Sequence, residues 1–167
     1  MTEFMGSPEG AGRRVAVIVS RFNETVTTAL GEGAVNTLVE QGVAFDDIDV
    51  LVVPGAWELP AAARSALASG RYDALVIVGA VVRGETPHFD FVAGEASRAI
   101  MQLGLEYELP IGFGLLTTDT MEQALARAGG DHGNKGRDAA LAALEMADLL
   151  ARLEAADATD AGDEAHG

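Results

Sequence analysis

Four short runs of apolar residues, rich in β-branched side chains, most constrain the fold of this chain. The runs are Val15–Ser20, Ile48–Val53, Ala74–Val82 and Ile111–Leu116. Their apolar character is nearly continuous, which is typical of strands that are buried on both faces of a parallel sheet. A sheet of this kind needs helices on both of its faces to cover it.

The segments between these runs have the apolar spacing of helices. From Thr25 to Gln41 an apolar residue recurs every four positions, and Gly42 marks the helix end. Further helices are predicted at Ala61–Ala68, Phe89–Gly104, Asp119–Ala128 and Lys135–Leu153, with a polar loop at Asp131–Gly136. Strands that alternate with helices imply right-handed crossovers. We therefore expect an α/β fold, a three-layer αβα sandwich with a four-stranded parallel sheet of the flavodoxin-like type.

The length of 167 residues fits one domain. We expect a flexible N-terminal segment over residues 1–13 and a folded domain over residues 14–153. Residues 154–167 are rich in Ala, Asp and Glu and have no aliphatic side chain larger than Ala. This composition predicts a disordered acidic tail, and we expect His166 within it to take no part in a site.

Charge and composition exclude several classes of function. The net charge of −15 argues against a nucleic-acid partner, because phosphate backbones need a basic surface. No apolar run approaches the roughly 20 residues that span a bilayer, and the N-terminus lacks the apolar core of a signal peptide. We therefore expect a cytoplasmic protein without a membrane partner. Cysteine is absent, and the three histidines have no metal-ligand spacing, so no metal site is expected.

The stretch Val76–Asp90 joins a predicted central strand to a helix through the polar turn Arg83–Pro87. Ligands of open α/β sheets bind at this carboxyl edge, where helix N-termini offer unpaired N–H groups to anions. Thr86 adds a hydroxyl, and His88 adds an imidazole that exchanges protons near neutral pH. A capped helix start with a solvent-facing histidine is an equally good interpretation of this stretch alone.

Three other predicted strand ends meet the same edge, and each admits a structural interpretation. Phe22 can be a core residue or an aromatic platform for a planar ring, and Trp57 favours packing. Glu58 and Glu85 can be solvated acids near helix starts. Arg127 can stabilise a helix C-terminus or bind a phosphate with two hydrogen bonds.

Five stretches together resemble one enzyme family. They are SRFN (Ser20–Asn23), PGAWELP (Pro54–Pro60), GAVVRGETPHFDFV (Gly79–Val92), GFGLLTTDTMEQALARAG (Gly112–Gly129) and GNKG (Gly133–Gly136). The chain resembles the 6,7-dimethyl-8-ribityllumazine synthases of riboflavin biosynthesis from about Arg14 to Leu150. It departs from them at Trp57, where many members have Phe, and at Asp131–His132, where several have a more basic pair. It also lacks the usual short apolar strand at the N-terminus.

The resemblance implies a reaction and a set of site residues. The expected enzyme is a transferase that condenses 5-amino-6-(D-ribitylamino)uracil with (S)-3,4-dihydroxy-2-butanone 4-phosphate, without a metal or an organic cofactor. Phe22 would stack on the pyrimidine, and His88 would move protons. The ribityl chain would be held by Ala56, Trp57 and Glu58, and the uracil edge by backbone groups of Ala80, Val81 and Val82. Glu85, Thr86 and Arg127 would bind the phosphate ester, and an adjacent subunit would supply Phe113, Arg127 and Lys135.

The resemblance also implies self-association. A homopentamer is expected, and the short connection Gly129–Gly136 is of the kind found in members that build icosahedral 60-subunit shells. Riboflavin synthase is a candidate partner. Three alternatives stay open: a non-catalytic flavin- or phosphate-binding module, an archaeal-type riboflavin synthase, and a purely structural shell protein.

Overall fold

The computed structural model describes residues 1–164, and it describes side chains as far as Ala158. The central sheet has four strands, β1 (Val15–Ser20), β2 (Ile48–Val53), β3 (Ala74–Val82) and β4 (Ile111–Thr118). They are all parallel, in the order β2-β1-β3-β4. The predicted α/β fold with a four-stranded parallel sheet is confirmed, and three of the four strands have the predicted bounds.

Helices cover both faces of this sheet. On one face, α1 (Glu24–Glu40) and α5 (Lys135–Glu164) pack over Val17, Val76 and their neighbours. On the other face, α2 (Leu59–Ala68) and α3 (His88–Glu106) pack over Ile18, Ile77 and their neighbours. Alternate strand residues point to opposite faces, so each strand contributes to both cores. This explains why the apolar runs are continuous.

The strands end at different levels along the carboxyl edge. β1 pairs with β3 only from Val15 opposite Ala74 to Val19 opposite Val78. β4 follows β3 further, as far as Val82 opposite Thr118. Beyond Val78, therefore, β3 keeps a strand partner on its β4 side and has none on its β1 side. This step in the sheet opens the space in which the pocket described below lies.

The remaining elements lie between β4 and α5, and they differ in part from the prediction. Helix α4 (Met121–Ala126) is capped by Thr120, whose Oγ1 accepts a hydrogen bond of 3.1 Å from the Gln123 backbone N–H. After α4, which ends two residues before the predicted Ala128, a small antiparallel hairpin follows. Its first strand, β5 (Ala128–Gly130), lies at the predicted helix end, and its second, β6 (Gly133–Asn134), lies in the segment predicted as a polar loop. Such short, Gly-rich strands have no apolar pattern from which they could be predicted.

The last helix is longer than predicted. We expected it to end at Leu153, and α5 continues to Glu164. Ala and Glu are strong helix formers, so this segment has the local propensity to extend a helix that already exists. His166 lies outside the described residues. The division of the chain into a folded domain and a separate tail stays a prediction.

The N-terminal segment is irregular and packs on the domain, and its flexibility stays a prediction. The Ser7 backbone N–H donates to Asp148 Oδ2 at 2.8 Å, and the Gly10 N–H donates to the Gln41 carbonyl at 2.9 Å. A Cβ at Gly6 would overlap the backbone carbonyl of Glu145 on α5. Glycine at this position therefore allows the segment to lie directly on the helix backbone.

Candidate functional site

A pocket of about 650 Å³ opens at the carboxyl edge of the sheet, on the side covered by α2 and α3. Its walls come from the loops after β1, β2 and β3 and from the first turns of α3. The lining residues are Phe22, Asn23, Gly55, Ala56, Trp57, Glu58, Ala80, Val81, Val82, Gly84, Thr86, His88, Phe89, Phe91 and Val92. Most of the wall is apolar, with a few polar groups that converge, as is usual in small-molecule sites.

The loop after β1 holds Phe22 at the mouth of the pocket. The Arg21 and Phe22 backbone N–H groups donate to the carbonyls of Val53 and Pro54, at 2.9 and 3.1 Å. The Phe22 side chain is 70% exposed, so its ring is not the core residue that the sequence also allowed. Its open face is available to a planar ring.

Asn23 fixes this loop to the central strand and is a pocket residue that the sequence did not single out. Its backbone is left-handed, with φ of 61°, and its side-chain Nδ2 donates to the Ala80 carbonyl at 2.9 Å. Asn tolerates this conformation better than most residues do. Asn23 lies beside β3 at the level where β1 has already ended. Its side chain therefore provides Ala80 with the hydrogen bond that a neighbouring strand would otherwise make.

The loop after β2 forms a 3-10 turn, Ala56–Glu58, that leads into α2. Ala56 is buried, whereas the Trp57 side chain is 60% exposed, so the packing role expected for Trp57 is wrong within the subunit. The Glu58 carboxylate is half-buried, and a Cβ at Gly55 would lie 3.2 Å from its Oε2. Within the described part of the chain this carboxylate has no hydrogen-bond or ion-pair partner, so it is free to accept hydroxyl donors.

The end of β3 forms the floor of the pocket through Ala80, Val81 and Val82. Because β1 stops pairing at Val78, backbone groups on that side of the floor have no strand partner. Main-chain donors and acceptors in such a position can bind the edge of a flat polar ring.

The turn after β3 brings Thr86 and His88 to the pocket, as predicted from their positions. His88 is the first residue of α3 and is exposed. Glu85 is also exposed in this turn and does not line the pocket, which fits the solvated acid that the sequence allowed. No side chain caps the N-terminus of α3. The Asp90 N–H donates to the Pro87 carbonyl at 3.0 Å, so the N–H groups of His88 and Phe89 are the ones available to an anion.

Arg83 stands behind this turn. Its Nε donates to Asp119 Oδ1 at 2.9 Å, and its Nη1 lies 3.4 Å from Asp90 Oδ1. Its guanidinium carbon lies 4.3 Å from the centre of the Phe89 ring. The hydrogen bond with Asp119 is the largest cause of a raised pKa of Arg83. Nothing in the sequence indicated this residue, since Asp119 is 36 positions away along the chain.

The other predicted site residues, Phe113, Arg127 and Lys135, do not line this pocket. Phe113 is on β4 with its ring 49% exposed, and Lys135 begins α5 with its Nζ 3.2 Å from Asp138 Oδ2. Arg127 follows α4, and its Nη1 donates to the Gln123 carbonyl at 3.0 Å, as expected of a cation at a helix C-terminus. The subunit therefore carries two separate groups of predicted site residues.

Two apolar surfaces lie at opposite edges of the sheet. Beside β4, a groove of about 780 Å³ runs between α3 and α5 and includes the exposed side chains of Met101, Leu105, Phe113, Met146 and Leu153. Beside β2, the exposed apolar side chains are Val39, Phe45, Val50 and Val52. Exposed patches of this kind mark interaction surfaces.

Within residues 1–164, no helix is both long and apolar enough to cross a membrane. The same residues contain no group of three or more His, Asp or Glu side chains that could hold a metal ion.

Comparison with known proteins identifies the relatives of this chain. A model of the family "6,7-dimethyl-8-ribityllumazine synthase" matches residues 12–151. The 6,7-dimethyl-8-ribityllumazine synthase of Gemmatimonas aurantiaca is 66% identical over 152 residues, which cover 91% of this chain and 93% of that protein. The enzyme of the same name from Chlorobaculum tepidum is 50% identical over 148 residues, which cover 89% of this chain and 96% of that protein.

Proposed function

Because the chain belongs to the 6,7-dimethyl-8-ribityllumazine synthase family, we propose that the residues around its pocket carry out the reaction of that family. The chain is an enzyme of riboflavin biosynthesis, a transferase. It condenses 5-amino-6-(D-ribitylamino)uracil with (S)-3,4-dihydroxy-2-butanone 4-phosphate to 6,7-dimethyl-8-ribityllumazine, and phosphate and water are released. The proposals below concern the residues that act, the assembly in which they act and the cellular location.

The observation that carries the residue assignment is the convergence of three strand ends on one pocket. Of the predicted site residues from Phe22 to His88, all except Glu85 line it. We assign Phe22 to stacking on the pyrimidine, and the floor formed by Ala80, Val81 and Val82 to the uracil edge. The Glu58 carboxylate, with Ala56 and Trp57 beside it, accepts hydrogen bonds from the ribityl hydroxyls. The Ala80 carbonyl already accepts from Asn23, so the assignment to the uracil edge concerns the other main-chain groups of the floor.

The phosphate ester is assigned to the uncapped N-terminus of α3, next to Thr86. Its N–H groups and helix dipole favour an anion, which offsets the net negative charge of the chain. Glu85, although it lies outside the pocket wall, remains assigned to this end of the site through its backbone position in the turn.

His88 is the proposed proton-transfer residue. Imine formation between the 5-amino group and the ketone releases water, phosphate then leaves, and closure of the second ring releases water again. Each step moves protons, and an exposed imidazole beside the phosphate subsite can take and return them. Much of the rate is expected from holding two substrates together, which can supply roughly 7–11 kcal/mol. Removal of His88 should therefore slow the reaction by about 10²–10⁴-fold rather than abolish it.

We propose that each complete site is built by two subunits. Phe113, Arg127 and Lys135 do not line the pocket of their own subunit. Phe113 and Lys135 lie beside β4 and α5, and Phe113 is part of the exposed apolar groove there. The apolar surface beside β2 is on the opposite edge of the sheet. Two different surfaces at opposite edges favour a head-to-tail contact, and such contacts form a ring when the rotation between neighbours closes. A neighbour so placed would bring Arg127 to the phosphate and Phe113 to the pyrimidine.

The expected ring is a homopentamer, and a 60-subunit icosahedral shell of such rings is a further proposal. The connection between α4 and α5 is short, in keeping with the shell. We also propose that the reaction takes place in the cytoplasm and that riboflavin synthase, which consumes the product, is a partner of the assembly.

A direct assay tests the residue assignment. The purified protein is incubated with both substrates, and lumazine is followed by its fluorescence, with Arg98→Gln as a matched control. Arg98 lies on α3 with an exposed ion pair to Glu95 and is not a pocket residue. We expect lumazine without added metal, normal activity of Arg98→Gln and about 10²–10⁴-fold less with His88→Ala. Full activity of His88→Ala, or activity that a chelator removes and a divalent ion restores, would contradict the proposal.

A further inference from the structure

Arg83 lies between the two groups of site residues and lines neither of the cavities beside them. It follows the last residue of β3, and its backbone N–H donates to the Thr118 carbonyl at 2.8 Å, one step beyond the β3–β4 ladder. Its side chain is 45% exposed, so burial does not explain its contacts.

On one side, Arg83 holds the start of α3. The guanidinium stacks over Phe89 and pairs with Asp90, the second and third residues of this helix. His88 is the residue just before them, and Thr86 is in the turn between Arg83 and the helix. Two contacts on one helical turn fix the direction in which that turn presents His88.

On the other side, Arg83 reaches toward Arg127 through a chain of hydrogen bonds. Arg83 Nε donates to Asp119, the Asp119 N–H donates to Gln123 Oε1 at 2.9 Å, and Arg127 Nη1 donates to the Gln123 carbonyl at 3.0 Å. The stretch from Asp119 to Arg127 includes all of α4. Arg83 and Arg127 are therefore connected by three hydrogen bonds and by the short helix α4.

We propose that Arg83 is a positioning residue for the reaction, one that sets the Gly84–His88 turn and the helix carrying Arg127 in a fixed mutual orientation. The inference rests on the proposed function, because Arg127 and His88 of one subunit would serve two neighbouring sites of the ring. Arg83 acts through these residues and has no contact with substrate.

The geometry requires arginine rather than any cation. The planar guanidinium uses separate nitrogens for Asp119 and Asp90 while its face lies on the Phe89 ring. A lysine ammonium is a point charge and cannot keep both hydrogen bonds and the stacking contact together. Exposed ion pairs contribute little to the free energy of unfolding. If the Arg83 pairs only stabilised the fold, their removal would leave kcat and KM unchanged.

The test is a double-mutant cycle of Arg83→Gln and Asp119→Asn, with Arg83→Lys as the conservative variant and Arg98→Gln as the control. For each variant, kcat and the KM of both substrates are measured, together with the thermal midpoint. We expect Arg83→Gln to lower kcat about tenfold, since small misplacements of catalytic groups are costly. The KM of the pyrimidine should stay within about twofold, because Phe22 and the strand floor are not held by Arg83.

Further expected results separate positioning from other roles. Asp119→Asn should lower kcat in the same direction, the double variant should be no slower than Arg83→Gln by more than about twofold, and Arg83→Lys should recover part of the loss. Arg83→Gln with the kinetics of the control would overturn the inference. The inference would also be overturned if Arg83→Gln raised only the KM of the butanone phosphate and Asp119→Asn had no effect on the kinetics. That result would make Arg83 a direct phosphate ligand.

Failure of this inference is distinguishable from failure of the proposed function. If the unsubstituted protein makes no lumazine, the residue assignment fails before Arg83 is tested. If it is active and the Arg83 and Asp119 variants match the control, only the positioning role is wrong.

Discussion

Arg127 illustrates how one side chain can combine a local role with the phosphate-binding role that we propose for it. Within its subunit, its Nη1 donates to the Gln123 carbonyl and so holds the end of α4. That contact uses one of its five donors, and the rest of the guanidinium fork remains free to bind a phosphate with two hydrogen bonds. The local bond sets the orientation of the side chain for a ligand that a neighbouring subunit would present.

Arg127→Ala should therefore affect the two substrates unequally. We expect the KM of the butanone phosphate to rise roughly 10- to 100-fold, because a charge-assisted contact is lost, while the KM of the pyrimidine stays nearly unchanged. Steady-state kinetics with each substrate varied in turn gives both values. Equal losses for the two substrates would show that Arg127 is not a phosphate ligand.

Asn23 and Arg83 are residues at or beside the site whose importance could not be predicted from the sequence. The predicted residues lie where strands end, a position that apolar patterns reveal directly. Asn23 acts by bonding to Ala80, 57 positions later, and Arg83 by bonding to Asp119. Contacts of this kind depend on tertiary structure, so no local pattern in a single sequence reports them.

At the scale of elements, the strands were predictable because their runs of apolar, β-branched residues favour an extended conformation. β1, β2 and β3 have the predicted bounds, and β4 is longer by Thr117–Thr118, two polar residues that pair only because β3 continues beside them. The hairpin of β5 and β6 and the extension of α5 were missed for different reasons. The first has no apolar signal, and the second depends on helix propagation from a packed segment.

One carboxylate on α5 holds the N-terminal segment at Ser7. Asp148 on α5 accepts from the Ser7 N–H at 2.8 Å and from Arg152 Nε at 2.8 Å, and Arg13 Nη2 lies 3.9 Å away. The hydrogen bond from the Ser7 backbone, followed by that from Arg152, lowers the pKa of Asp148 below its ordinary value of 3.8. These contacts favour the ionised form of the carboxyl group.

The attachment of this segment should consequently depend on pH. A depressed folded-state pKa stabilises the attached state above the ordinary pKa, and that stability is lost as the pH falls through the lower folded value. Hydrogen exchange of the Ser7 amide should thus become faster, relative to the core strands, below about pH 4.

Asp148→Asn is the matched variant, because it keeps the shape and removes the charge. It should exchange quickly at neutral pH and lack the acid-dependent change. Slow exchange of the Ser7 amide in this variant would show that the carboxylate does not hold the segment.

At the scale of the whole molecule, the two apolar surfaces and the divided site have one explanation. The pocket is open at its mouth, where the exposed rings of Phe22, Trp57 and Phe91 lie, and no Lys or Arg of the described residues lines it. A head-to-tail neighbour would cover the groove beside β4 and complete the pocket in one contact. Each subunit would then contribute to two sites, and Arg83 would lie between its two contributions.

The central claim is that each site is formed by two subunits, and mixed assemblies of two variants test it most directly. His88→Ala and Arg127→Ala chains, each with a different affinity tag, are co-expressed, and assemblies with both tags are purified and assayed. In a ring with random order, about a quarter of the sites pair an intact His88 with an intact Arg127 from its neighbour. At a butanone phosphate concentration well below the KM of the unsubstituted protein, where both variants are slow, we predict activity near a quarter of that of the unsubstituted protein, well above either variant alone. Activity equal to the average of the two variants, in assemblies shown by mass to contain both chains, would contradict the shared site.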